Sequence, residues 1–170
     1  ITCTGFANDD FILWPRPGMI LIFLLMFAGG STGSTSGGIK MARHLIVIKN
    51  VRNAFIRLVH PNIFPSLKLN GRLSDEKTNI SILSFILLYI FVFVAGTLFI
   101  AMNGADPVTS ASSVATCMAG IGPGFGTVGP MSNFSGIPAI NKIALSFIMI
   151  IGRLEIITVF ILFGKSFRRL

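Results

Sequence analysis

Twenty-three consecutive residues, Ile80–Met102, carry no charged side chain. As a helix rising about 1.5 Å per residue, this run crosses the roughly 30 Å hydrocarbon layer of a bilayer. A second long apolar run, Ile140–Phe163, is interrupted in its latter half by Arg153 and Glu155. Only 12% of the 170 residues are charged and 52% are hydrophobic, where a soluble domain carries about 25% charge. The expected fold class is therefore all-α and integral to a membrane.

What lies between the two runs cannot be a third span. Pro107–Met118 is too short to cross and, rich in Ser, Thr and Ala, too polar to face lipid. Asp106 followed by Pro107 predicts an N-cap with proline at the first helical position. The next stretch, Ala119–Gly129, reads AGIGPGFGTVG, with five glycines, one proline and no ionisable side chain. Irregular backbone at membrane depth is tolerated only where it is buried in protein or lines a water-filled path. Rings of backbone carbonyls replace an ion's hydration shell in cation filters. The expectation is a re-entrant pore helix whose partly negative C-terminal end favours a cation at the loop 119–124.

A second break precedes these elements. Gly18–Ala28 is apolar but covers only about 17 Å as a helix, and it runs into Gly29–Gly38, GGSTGSTSGG. Beyond it, Ile39–Val59 mixes apolar and basic residues that can continue a helix. The reading is a transmembrane helix broken near mid-membrane; a flexible Gly/Ser linker is the alternative that composition leaves open. A phosphate loop is excluded, because Ile39 precedes Lys40 and Met41 follows it. His60–Thr78, with Pro61, Pro65, Asn70 and Gly71, reads as a cytoplasmic connection.

Eleven of the 14 basic residues fall between Lys40 and Lys77 or in Lys165–Arg169, which the positive-inside rule assigns to the cytoplasm. Aromatic residues do not interleave with them as nucleic-acid binding requires, so no nucleic-acid partner is expected. Cys3 and Cys117 form neither a disulfide framework nor a metal motif. His44 and His60 lack ligand partners at metal spacing and are expected to be solvated or interfacial. Gly124–Gly129 fits the dinucleotide pattern GxGxxG only by chance, since no strand precedes it. Asn79-Ile80-Ser81 and Asn133-Phe134-Ser135 are likewise chance glycosylation triplets.

A half-hidden repeat organises the chain. Gly5 and Gly122, 117 residues apart, each sit in a small-residue loop followed by a polar stretch and an apolar helix. The unit is helix, pore helix, filter loop, helix. The depth scale it supplies puts Arg153 level with Gly29–Gly38. An arginine within the membrane is a functional candidate by default, and residues two apart on a helix do not face each other, so Arg153–Glu155 pairing is disfavoured. Arg153 is expected to donate to carbonyls and hydroxyls of the broken segment and to oppose a cation on the axis.

With these residues in view, the chain resembles the TrkH/KtrB/HKT superfamily of cation transporters, and within it bacterial TrkH proteins. Thr2-Cys3-Thr4-Gly5-Phe6 is similar to the third-repeat filter TTTGF, with Cys3 in place of threonine. Gly120-Ile121-Gly122-Pro123-Gly124 is similar to the fourth-repeat filter NxGPG, with Gly120 where asparagine is usual. Gly29, Gly30, Ser31, Thr32, Gly33, Ser34, Thr35, Ser36, Gly37 and Gly38, with Lys40, resemble the family's intramembrane gating loop, and Arg153 its fourth-repeat arginine. The resemblance implies that 1–60 close a third pore repeat, 61–79 connect, and 80–170 form a fourth (helix 80–102, pore helix 107–118, filter 119–124, helix 140–163). The first two repeats and most of the third lie outside this sequence. It further implies potassium uptake, with K⁺ held at the carbonyls of Thr2, Cys3, Thr4, Gly5, Gly120, Ile121 and Gly122, and no cofactor in this chain. It implies a homodimer, a cytoplasmic nucleotide-binding regulatory subunit, and multi-pass residence in the bacterial inner membrane.

Two other readings of the residues stand beside it. Broken helices also build Na⁺- or H⁺-coupled secondary transporters, which would be expected to place carboxylates or aromatics near the break; Gly29–Gly38 has none. A membrane-anchored interaction module could use the basic Lys40–Lys77 segment on lipid headgroups. No paired carboxylates, Ser/His/Asp set or metal cluster suggests an enzyme.

Overall fold

The computed structural model describes residues 3–34, 36–60, 68–69, 72–73 and 76–154. Expectations on Thr2, Thr35, Glu155, most of the connection and the basic C-terminus lie outside the described residues.

Five helices make the frame: α1 (Arg16–Met26), α2 (Met41–Val59), α3 (Glu76–Met102), α4 (Pro107–Ala119) and α5 (Ala139–Arg153). A minimal antiparallel pair, β1 (Lys68–Leu69) with β2 (Arg72–Leu73), lies within the connection. The fold is thus all-α apart from two-residue strands. Helix α3 starts at Glu76, so the last four residues of the expected 61–79 connection are already helical. Among the described residues α3 is the one helix long and apolar enough to span a membrane.

Helix α4 is the centre. Ten of its 13 residues are buried, Ser110, Ser112, Ser113 and Thr116 among them. Its start forms as the sequence dictates: the Asp106 carboxylate accepts from Val108 N at 3.1 Å and Thr109 N at 3.4 Å, satisfying two of the free amides of the first turn. Its end is set by Gly120, left-handed at φ 67°, whose amide turns back to Cys117 O. Helices α3 and α5 flank it. Close approach is made possible by Gly96 of α3, where an added Cβ would lie 2.9 Å from the Ile148 methyl and 3.3 Å from Val114. Small residues at such crossings let helices pack without a hydrophobic driving force from lipid.

Two helix starts share a backbone form. Helices α1 and α5 both start after a proline in the same extended conformation, Pro15 (φ −55°, ψ 145°) and Pro138 (φ −52°, ψ 145°). Each is preceded by a single 3-10 turn, Phe11–Leu13 and Phe134–Gly136.

Helix α2 is anchored to α3 at two levels. The Arg43 guanidinium sits 3.9 Å from the Phe85 ring centre, a cation–π contact. One turn and more beyond, the Asn50 and Asn79 amides exchange hydrogen bonds of 2.5 and 3.2 Å. That pair gives Asn79 a structural role within its triplet. His44 is half-buried; its Nε2 is closed off from solvent and has no hydrogen-bond partner among the described residues.

Candidate ion filter and intramembrane loop

The loop after α4 doubles back along the helix and is held by that helix's polar face. Thr116 Oγ1 accepts from Gly122 N at 2.9 Å. Ser112 Oγ accepts from Phe125 N at 2.9 Å and donates to Phe125 O at 3.1 Å. Thr109 Oγ1 accepts from Thr127 N at 3.3 Å. The three hydroxyls are spaced three and four residues apart, which puts them on one face of a helix. They are the site residues that sequence reading passed over. The signal was present as this Ser/Thr periodicity, which had been read only as polarity.

These bonds orient the carbonyls of the candidate filter. Gly120 N donates to Cys117 O (3.3 Å), Ile121 N to Thr116 O (3.0 Å) and Gly122 N to Thr116 Oγ1 (2.9 Å), so three successive amides turn back to α4. No peptide among the described residues is cis, and in a trans peptide C=O and N–H point in opposite directions. The carbonyls of Ala119, Gly120 and Ile121 therefore face away from the helix. Among the described residues no donor reaches the oxygens of Gly120, Ile121 or Gly122.

The loop from the chain's start meets them there. Cys3 Sγ donates to Ala119 O at 3.4 Å, and a Cβ added to Gly5 would lie 3.0 Å from Ile121 O. Positive φ recurs at every second residue in both loops: Cys3 (54°) and Gly5 (75°), Gly120 (67°) and Gly122 (110°). Alternating handedness lets neighbouring carbonyls share one side instead of flipping as in a strand. It also accounts for the departure at position 120, since glycine and asparagine are the residues that most readily adopt the left-handed conformation. Cys3, Thr4, Gly5, Gly120, Ile121 and Gly122 together border a cavity of about 520 Å³.

The break after α1 is a closed loop. Gly29 N donates to Ile39 O (2.9 Å), Ile39 N to Phe27 O (3.2 Å) and Met41 N to Gly30 O (3.1 Å), zipping its two ends together. Inside, Ser36 Oγ accepts from Gly30 N at 2.9 Å and from Ser34 Oγ at 3.0 Å. Ser34 Oγ in turn accepts from Ser36 N at 3.2 Å, and Lys40 Nζ donates to Thr32 O at 3.4 Å. A free linker would leave these groups to water; here they bond one another.

Arg153 does not make the hydrogen bonds expected of it: among the described residues none joins it to the loop, whose serines 34 and 36 are already engaged with their own backbone. It does border one cavity of about 430 Å³ with Gly37, Met118 and Gly120. Loop, arginine and filter edge are thus brought to one place, by packing rather than by hydrogen bonding. Among the described residues no group of three or more His, Cys, Asp or Glu could hold a metal.

Comparison with known proteins places this architecture. Residues 1–168 match the family described as TrkH, cation transport protein. The chain is 38% identical over 172 residues to the Trk system potassium uptake protein TrkI of Halomonas elongata, covering 99% of this chain and 35% of that protein. It is 35% identical over 168 residues to the Trk system potassium uptake protein TrkH of Escherichia coli K12, covering 99% of this chain and 34% of that one. The crystal structure of the potassium transporter TrkH from Vibrio parahaemolyticus superposes with a TM-score of 0.88 at 32% identity, over 98% of this chain and 35% of the other. The chain therefore spans about a third of the length of these relatives. With an all-α membrane fold, a doubled-back loop on a buried polar helix and a match over nearly its whole length, the chain belongs to the TrkH family of cation transport proteins.

Proposed function

We propose that this chain forms part of a potassium-conducting path across the bacterial inner membrane, as a transporter and not an enzyme. The observation that carries the reading is the pair of carbonyls at Gly120 and Ile121, turned from α4 by the bonds of the next amides and without a donor among the described residues. Gly120 and Gly122 are exposed and Ile121 is half-buried, so these oxygens are open to an incoming ion, and backbone carbonyls replace the hydration shell of K⁺ in a filter. The 3–5 loop adds the neighbouring side of the same site, its Gly5 against Ile121 O. The names of the relatives, Trk system potassium uptake proteins, agree with this chemistry.

Gating follows from position. Gly37 of the loop and the positive Arg153 border the cavity that Gly120 also lines, where a charge of like sign raises the barrier to a cation. Lys40 braces the loop through Thr32 O. The resemblance implies four pore repeats around one path, of which this chain supplies the end of the third and the fourth, in a homodimer that docks a cytoplasmic nucleotide-binding subunit. The test is growth and ⁸⁶Rb⁺ uptake of potassium-auxotrophic cells expressing the complete transporter that contains this chain. Restored growth at low K⁺, with Rb⁺ entry that Na⁺ does not compete away, is the expected result. Uptake no better than empty vector, in cells where the protein is inserted, would overturn the reading.

A further inference from the structure

Two glycines outside the filter bear directly on the last turn of α4. A Cβ added to Gly37, in the intramembrane loop, would lie 2.5 Å from Ala119 O, 2.8 Å from Ala119 C and 3.2 Å from Met118 O. A Cβ added to Gly152, in α5, would fall within van der Waals contact of Met118 O and 2.9 Å from both Met118 C and Cα. In each case the obstacle is backbone, which no side-chain rotation can clear, and Met118 and Ala119 are themselves buried. Cys3 Sγ reaches the same Ala119 O from the other filter loop. Three separate segments therefore converge on the two peptide units that immediately precede Gly120.

We propose that Gly37 and Gly152 are positioning residues for ion selection: they seat the intramembrane loop and α5 on the end of the pore helix, so that displacement of the loop displaces the filter. The proposal rests on the filter reading above and deepens it. A loop that merely plugged the path would change how many ions pass without changing which ones. Here the end of α4 aims the carbonyls of Gly120 and Ile121 through the bonds from Ile121 N and Gly122 N to Thr116. A shift of Met118–Ala119 by a few tenths of an ångström is transmitted to those oxygens, because interiors this close-packed transmit strain instead of absorbing it. Loop position and selectivity become one variable.

The experiment compares Gly37→Ala and Gly152→Ala in the complete transporter, purified into proteoliposomes, by the K⁺/Na⁺ permeability ratio read from reversal potentials. Gly136→Ala is the control, since a Cβ there meets nothing within 4 Å. The expected result is a fall of tenfold or more in the ratio for both variants and no change for the control. A changed flux with an unchanged ratio in Gly37→Ala would overturn the proposal and leave the loop as a plug. If neither alanine variant inserts, Cys3→Ala decides: it withdraws the thiol from Ala119 O, adds no atom, and should lower the ratio; an unchanged ratio overturns the proposal. Wild-type protein that conducts without distinguishing K⁺ from Na⁺ would sink the filter reading itself, a separate result that takes this proposal with it.

Discussion

Replacing Thr116 by valine isolates one hydrogen bond at the filter. The two side chains have nearly the same shape, so packing within α4 is kept while the acceptor for Gly122 N, now at 2.9 Å, is lost. Thr116 is only 1% exposed, but Gly122, which donates, is exposed, so water can reach the amide once the hydroxyl is gone. Losing a hydrogen bond of this kind costs about 0.5–1.5 kcal/mol. Since 1.4 kcal/mol is a factor of ten in an equilibrium constant, the conformer that presents Ile121 O correctly loses between about twofold and tenfold in relative population. The peptide between Ile121 and Gly122 can then rotate, aided by the glycine at φ 110°. The prediction is a K⁺/Na⁺ permeability ratio reduced severalfold, up to about one order of magnitude, measured in proteoliposomes. Thr97→Val is the matched control, because the buried Thr97 hydroxyl has no hydrogen-bond partner among the described residues to lose. An unchanged ratio in correctly inserted Thr116→Val protein would refute the reasoning, and would mean that the filter carbonyls are aimed by something other than α4.

Three further outcomes are expected. Gly5→Ser and Gly122→Ser should each weaken K⁺ preference, because φ of 75° and 110° burdens a residue with a β-carbon by about 1–2 kcal/mol in the left-handed region; tracer competition between Rb⁺ and Na⁺ checks this. Arg153→Ala should raise flux through the complete transporter and leave selectivity in place, since the arginine lines the cavity beyond the filter without bonding the loop; unchanged flux in inserted protein would reduce Arg153 to a packing role. Asn79→Ala should leave the Asn50 amide without its partner in α3 and lower the melting temperature in detergent, at about 1 kcal/mol for a partly exposed amide pair; a melting point equal to wild type would show that the amide pair adds nothing to the hold of α3 on α2.

Membrane class, the order of elements and the places where regular structure stops were legible from the residues alone. Those are local matters: an uncharged run of 23 residues has only one stable conformation in lipid, Asp106 before Pro107 caps a helix in any context, and clustered glycines end one. The 117-residue spacing also linked Gly5 to Gly122, which the fold places against each other's loops. The hydroxyl ladder of Thr109, Ser112 and Thr116 was legible only as composition. Its partners at 122, 125 and 127 are matched by the reversal of the chain at Gly120, and the sense of that reversal is a tertiary fact. Arg153 shows the converse error. Equal depth in a repeat suggested hydrogen bonds to the loop serines, but depth says nothing of azimuth, and Ser34 and Ser36 found nearer partners six residues or fewer away. The seating of Gly37 and Gly152 on Met118 and Ala119 could not be read at all from the chain, because a glycine records that backbone may come close and never says whose.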